Sequence, residues 1–169
     1  MHNLDTDILY HRSGQTGGRI SGIIEIGDNS QKRQKTVKII TFGVFDYLHL
    51  GHIRLFKQCR QYGDYLIVAV QHEDFIRKFK PDSVPLYSTD ERVEMLQAIR
   101  DIDEVIVYET VTTDFLAGLD FDVLALGEDH VGPRWDKIID YCNEHNKKVV
   151  RLKRTPGICS TDIKLRLKR

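Results

Sequence analysis

The chain reads as an α/β protein, a five-stranded parallel sheet flanked by helices and built as a single domain with an N-terminal extension. Three observations carry that reading. Apolar runs alternate with amphipathic helical stretches from Val37 onward, and such alternation makes a parallel sheet with crossover helices. Tyr65–Val70 (YLIVAV) is apolar throughout, as a strand covered on both faces must be. With 169 residues, 41% hydrophobic and 30% charged, the chain is long enough to bury a full core and ordinary in composition.

Residues 1–36 differ from the rest. They hold Gly14, Gly17, Gly18, Gly22 and Gly27 and the polar run Asp28–Lys35. Only Arg19–Ile26 has strand character, so this part reads as a partly flexible extension before a domain at 37–169. His2 and His11 lie in it without the fixed geometry a metal needs.

The domain begins with strand 37–42, which breaks at Gly43. A loop carries Asp46 and His49-Leu50-Gly51-His52, and a helix over 51–62 ends at Gly63. Strand 65–70 is followed by a short charged helix, 72–79, and a loop, 81–87, with Pro81 and Pro85. Helix 89–100 opens on Ser88-Thr89-Asp90-Glu91, a capping box with Ser88 as N-cap and Glu91 at N3. Its positions Val93, Leu96, Ala98 and Ile99 suit one buried face. Strand 104–107, helix 112–118 and strand 122–126 lead to the loop 127–130. Helix 134–145 and strand 148–152 follow. The loop 154–160 feeds a basic helix, 161–168.

Charge and composition remove several classes. Net charge is zero, so no overall field points to nucleic acid or to a membrane surface. Lys147–Arg169 carries nine Lys/Arg against one acid, Asp162, but few aromatics are interleaved with them, which disfavours nucleic-acid binding. No segment approaches the roughly 18 apolar residues of a membrane span. Three cysteines without paired spacing fit a reduced, cytoplasmic protein.

In open parallel sheets, ligands bind past the carboxyl ends of the strands. That rule brings 43–52, 127–130 and 153–161 to one crevice. The histidines sit at a strand-to-helix turn, where unpaired amides and the helix dipole favour anions. Imidazoles there can donate to phosphate oxygens, and Gly51 lets a large group approach the backbone. Neither G-x-G-x-x-G nor G-x-x-x-x-G-K-[ST] is present, which disfavours a dinucleotide or P-loop site. Asp129, after a strand and a glycine, can accept from an exocyclic amine such as N4 of cytosine. Ser160 and Thr161 can cap the last helix and bind phosphate with the same helix end.

With Thr41-Phe42-Gly43-Val44-Phe45-Asp46 ahead of it, His49-Leu50-Gly51-His52 resembles the HxGH nucleotidyltransferases. Gly63-Asp64-Tyr65-Leu66, Ala98-Ile99-Arg100 with Asp103-Glu104-Val105, and Arg154-Thr155-Pro156-Gly157-Ile158-Cys159-Ser160-Thr161 look like the cytidylyltransferase branch, nearest to glycerol-3-phosphate cytidylyltransferases. The similarity covers about 37–168. It implies a Rossmann-like fold of the HIGH-type nucleotidyltransferases that moves CMP from CTP to a small phosphorylated alcohol, glycerol 3-phosphate before others, with Mg²⁺ on the triphosphate and release of pyrophosphate. The CDP product would feed a surface polymer. By position, His49, His52, Lys78 and Arg154 would act on the phosphates, with Lys80 the alternative to Lys78 or a contact to the acceptor beside Asp46. Thr41, Phe42, Gly43, Val44, Gly51, Arg92, Gly127, Glu128, Asp129, Thr155, Ile158, Ser160 and Thr161 would surround the nucleotide. No side-chain metal ligand is implied, and relatives are commonly homodimers. Val44 replaces a Thr of close relatives, Cys159 a Ser, Glu128 an Asp and His130 a Trp. Most of these flank the base or the acceptor. The alternatives are an adenylyltransferase acting on a sugar phosphate or flavin phosphate, and a nucleotide-binding module without turnover.

Overall fold

A computed structural model describes residues 35–79 and 84–167, all within one compact unit, Gln34–Arg169. The expected strand at 19–26, residues 1–34 of the extension and Lys80 lie outside the described residues. The elements are β1 (Lys38–Gly43), α1 (Leu50–Cys59), β2 (Tyr65–Gln71), α2 (Glu73–Phe79), α3 (Thr89–Gln97), β3 (Glu104–Tyr108), α4 (Thr113–Ala117), β4 (Val123–Gly127), α5 (Pro133–Glu144), β5 (Lys148–Leu152) and α6 (Ser160–Leu167).

All five strands pair in parallel, in the order β3-β2-β1-β4-β5. The chain winds outward from β1 on one side, then crosses back to β4 on the other. The direction reverses between β1 and β4, and there the loops at their carboxyl ends part to leave a crevice.

Strand periodicity explains the two cores. Ile39 faces one side of the sheet with Phe56 and Cys59 of α1 and Leu96 of α3. Ile40 and Phe42 face the other, with Leu116 of α4 and Trp135, Ile138 and Cys142 of α5. Being covered on both faces, β2 is buried from Leu66 to Val70, which is why it reads as one apolar run. All three cysteines are free thiols.

Boundary differences are local. Helix α1 ends at Cys59 rather than 62, because Tyr62 N–H turns back to the carbonyl of Cys59 at 2.9 Å. Helix α3 ends at Gln97 rather than 100. Ala98 therefore caps its C-terminus in the open instead of joining the buried face. The Ser88–Glu91 capping box is present with both of its hydrogen bonds. No helix among the described residues is long and apolar enough to cross a membrane.

Candidate active site

The loop from β1 to α1 is bent into shape by its neighbours. Phe45 and Tyr47 have φ of 54° and 50°, a conformation that costs non-glycine residues roughly 1–3 kcal/mol each. The Phe45 ring folds back over Gly43, where a Cβ would lie 2.8 Å away, and packs against His52 and Phe56. Asp46 is only 5% exposed. Its carboxylate accepts from the amides of Leu86 and Tyr87 at 3.1–3.3 Å and lies 3.5 Å from Lys164 Nζ.

His49 is the N-cap of α1, its Nδ1 accepting from Gly51 N–H at 3.0 Å. The ring hydrogen therefore sits on Nε2, which lies 3.4 Å from Ser160 Oγ. His52 stacks on His49 with ring centroids 3.9 Å apart and planes 16° apart. Its buried Nδ1 has no partner among the described residues. Burial first, then the neighbouring His49, push the His52 pKa down to about 3. Burial also lowers that of His49, with Arg154 adding to the effect. Both rings are neutral at pH 7, so each can donate one N–H without carrying charge.

Two further loops face the pair. After β4, Gly127 N–H donates to His130 Nδ1 at 3.0 Å, and Asp129 folds so close that a Cβ on Gly127 would meet its Oδ1 at 2.8 Å. After β5, Arg154–Ser160 turns through Gly157 at φ 76° into α6. Ser160 Oγ donates to the Asp46 carbonyl at 3.1 Å, tying α6 to the first loop.

Together these loops enclose a cavity of about 320 Å³ over the crevice. The cavity gathers Val44, Asp46, His49, Gly51, His52, Gly127, Glu128, Asp129, Arg154, Thr155, Ile158, Ser160 and Thr161. Beside it lies a second cavity of about 240 Å³. The two share Val44, Ile76 and Asp129, and Gly43 lines the second.

Other expected residues are placed differently. Arg92 is 0% exposed. Its guanidinium donates to the carbonyls of Val44 (2.7 Å), Gln71 (2.9 Å) and Tyr87 (3.3 Å) and to Thr89 Oγ1 (3.1 Å). Expected at the nucleotide, it holds the loop ends that frame the cavities and lines neither of them. Lys78 is exposed on α2, its ammonium 5.6 Å from the Phe75 ring, and does not line the cavity. Phe42 points into the core beneath the second cavity, against Tyr108 and Trp135. Thr41 is buried beneath the loop, its Oγ1 without a partner among the described residues.

Lys153 and Lys164 also line the first cavity, and the reading of the sequence did not single them out. For Lys164 the signal was present. It follows Ser160 by four positions on a helix, and i and i+4 share a face.

A family model described as cytidylyltransferase-like matches residues 40–166, and these residues include both histidines and the whole of the closing loop. The chain belongs to the cytidylyltransferase-like family. This cytidylyltransferase-like chain is 38% identical over 130 residues to glycerol-3-phosphate cytidylyltransferase of Bacillus subtilis, covering 75% of this chain and 94% of that protein. It is 33% identical over 126 residues to FAD synthase of Thermococcus kodakarensis, covering 72% and 83%. Among solved structures, a lipopolysaccharide core biosynthesis protein from Thermoplasma volcanium matches with a TM-score of 0.60 at 23% identity, over 72% of this chain and 98% of that one. That likeness speaks for the fold alone. As a cytidylyltransferase-like protein with named nucleotidyltransferase relatives, the chain is a nucleotidyltransferase, joining a nucleotide to a phosphorylated acceptor.

Proposed function

We propose that the protein transfers CMP from CTP to a phosphorylated alcohol and releases pyrophosphate. The observation that carries this reading is the pair of neutral, stacked imidazoles at the start of α1, facing Arg154–Thr161 across one cavity. An acceptor phosphate oxygen is already a nucleophile at neutral pH. It attacks the α-phosphorus, the new O–P bond forms, and the bond to the bridging oxygen breaks. Pyrophosphate leaves with that electron pair. The protein's task is alignment and stabilisation of charge on the oxygens, which converging donors perform. His49 and His52 would supply N–H groups, Arg154 and Lys164 positive charge, and Ser160 and Thr161 the helix end. Mg²⁺ keeps several waters and takes one or two carboxylates besides phosphate oxygens. Glu128 brings a carboxylate to the cavity that fits this role. There Mg²⁺ would neutralise phosphate charge.

Asp129 can accept from the exocyclic amine of cytosine or of adenine, whereas uracil offers no such donor. The choice of cytosine rests on the glycerol-3-phosphate cytidylyltransferases, which this chain matches over 94% of their length. The CDP product would serve as an activated precursor for a surface polymer. Adenylyl transfer to a flavin phosphate is the second reading, favoured by the identity to FAD synthases. Pyrophosphate release measured with each of the four nucleoside triphosphates, Mg²⁺ and an acceptor panel separates them. CTP is expected to support turnover, and a preference for ATP overturns the choice of base. His52→Ala is expected to lower turnover by roughly 10²–10³, the scale for losing one preorganised donor.

A further inference from the structure

The second cavity is walled by polar groups as well as apolar ones, and the structure fixes what several of them can offer. His130 Nδ1 accepts from Gly127 N–H at 3.0 Å, so the ring hydrogen sits on Nε2. The His130 ring packs on Trp135 with centroids 4.3 Å apart, and both residues line the cavity. Burial first holds the His130 pKa below its ordinary value, and Arg151 and Arg134 add to that against the pull of Asp129. The ring is therefore neutral at pH 7, and its Nε2 is a donor only. Arg134, at the start of α5, also lines the cavity, its guanidinium 5.7 Å from the Trp135 ring. Gln71 Nε2 is spent on the Glu109 carbonyl at 3.1 Å, which leaves Oε1 as an acceptor. Asp129 stands in the wall shared with the first cavity and is the single carboxylate lining the second among the described residues.

We propose that this cavity receives the non-phosphate end of the acceptor and that this end carries a carboxylate, so that the acceptor is a phosphorylated hydroxy acid. The proposal rests on the reading that the first cavity holds the nucleoside triphosphate. The two cavities meet at Val44, Ile76 and Asp129, so an acceptor whose phosphate faces the α-phosphorus extends its other end into the second. The donors there are the Nε2–H of His130 and the guanidinium of Arg134. A carboxylate accepts from both, and hydrogen bonds between ionised groups are roughly twice as strong as neutral ones. A terminal hydroxyl meets the same donors without charge and gains less. Arg151 stands behind the site, donating to the His130 carbonyl at 2.6 Å. Two guanidinium groups thus act on the His130 ring against one carboxylate, a balance that favours an anion beside it. The hydroxyl of a hydroxy acid has Gln71 Oε1 to donate to.

Glycerol 3-phosphate and 3-phosphoglycerate form a matched pair, differing only in a terminal hydroxymethyl against a carboxylate. The full-length protein is titrated with each in the absence of nucleotide, following the emission of Trp135, the single tryptophan of the chain. The two esters are then compared as acceptors by pyrophosphate release with CTP and Mg²⁺. The phosphoglycerate is expected to bind about tenfold more tightly or better, the factor that one charge-assisted hydrogen bond supplies, and to show a correspondingly lower KM. Arg134 is exposed, so Arg134→Gln is expected to fold. It should remove most of that preference and leave KM for CTP and for glycerol 3-phosphate unchanged. His130→Phe keeps a ring against Trp135 without the donor and is expected to act in the same direction. Equal or tighter binding of glycerol 3-phosphate overturns the inference, as does Trp135 emission that responds to neither ester. A preference for the phosphoglycerate that survives Arg134→Gln overturns it as well. Where neither ester is turned over, the titration alone decides by the same criteria. Turnover from CTP with glycerol 3-phosphate preferred sinks this inference and leaves the cytidylyl reading standing. A carboxylate preference lost in Arg134→Gln, with turnover only from ATP, does the reverse.

Discussion

A methyl group added at Gly51 would lie 2.7 Å from Cε1 and 2.9 Å from Nδ1 of His49. The ring cannot keep its cap on α1 and admit that carbon, so it must swing and break its stack with His52. Gly51→Ala is therefore expected to lower turnover about 10²-fold, with only about 1 kcal/mol of stability lost with the cap. Steady-state rates and a thermal melt on the same sample check both halves. His52 carries a second, pH-dependent consequence. Its folded pKa of about 3 lies below the ordinary 6.5, chiefly through burial. Below pH 6.5 the unfolded chain takes up a proton that the folded chain refuses, so stability falls as pH falls. At pH 5 this ring alone costs about 2 kcal/mol, at about 1.36 kcal/mol per pH unit. Urea midpoints of wild type and His52→Asn between pH 7 and 4 test this. The variant's profile is expected to be flatter, and equal slopes would place the titration elsewhere. The pairing of the two histidines was legible in the sequence because they lie three positions apart across a glycine at a helix start. Their stacking and neutrality were not, since neutrality follows from burial by residues outside the motif, with Phe45 packed against His52.

At the scale of elements, Arg92 belongs to α3 but acts on the ends of β1 and β2. Its donors go to Val44 and Gln71, which follow or end those strands, and to Tyr87 and Thr89 at its own helix start. Glu73, at the head of α2, accepts from Thr89 N–H and Oγ1 in the same knot. Arg92→Met leaves several buried acceptors without donors, each worth roughly 1–3 kcal/mol. A loss of about 3 kcal/mol or more in urea unfolding is expected, with only part recovered by Arg92→Lys, whose ammonium cannot span the same fork. If Arg92 met the nucleotide instead, Arg92→Met would raise KM for CTP and leave the melt unchanged. Strand and helix order was readable because alternation of period 2 and period 3.6 is a local property. Which way α3 turns Arg92, or α2 turns Lys78, was not. That is decided by how each helix lies on the sheet, and an arginine in a charged helix looks the same whether it faces solvent or a cluster of carbonyls.

For the whole molecule, the sheet order matters more than any single motif. The reversal between β1 and β4 opens one crevice, and three loops far apart in sequence close on it because each leaves the carboxyl end of a strand. Among the described residues, which begin at Lys35, lie two core clusters, the five strands of the sheet and both cavities. The earliest described side-chain contact is the ion pair of Lys35 with Asp122, and Lys38 N–H is held by the same carboxylate at 2.9 Å. The pair is largely exposed, so it adds little, but the backbone bond fixes where β1 enters the sheet beside β4. With the domain boundary placed near Val37 by the sequence, a chain beginning at Gln34 is expected to unfold in one cooperative transition, at a temperature within a few degrees of the full-length protein. It is also expected to keep its turnover number with CTP and acceptor. Beginning the chain at Ile39 removes that entry bond and the first rung of the β1–β2 ladder, and a clearly lower melting temperature should follow. If the chain from Gln34 melted well below the full-length protein, residues before it would have to supply part of the packing, and the domain boundary near Val37 would be wrong.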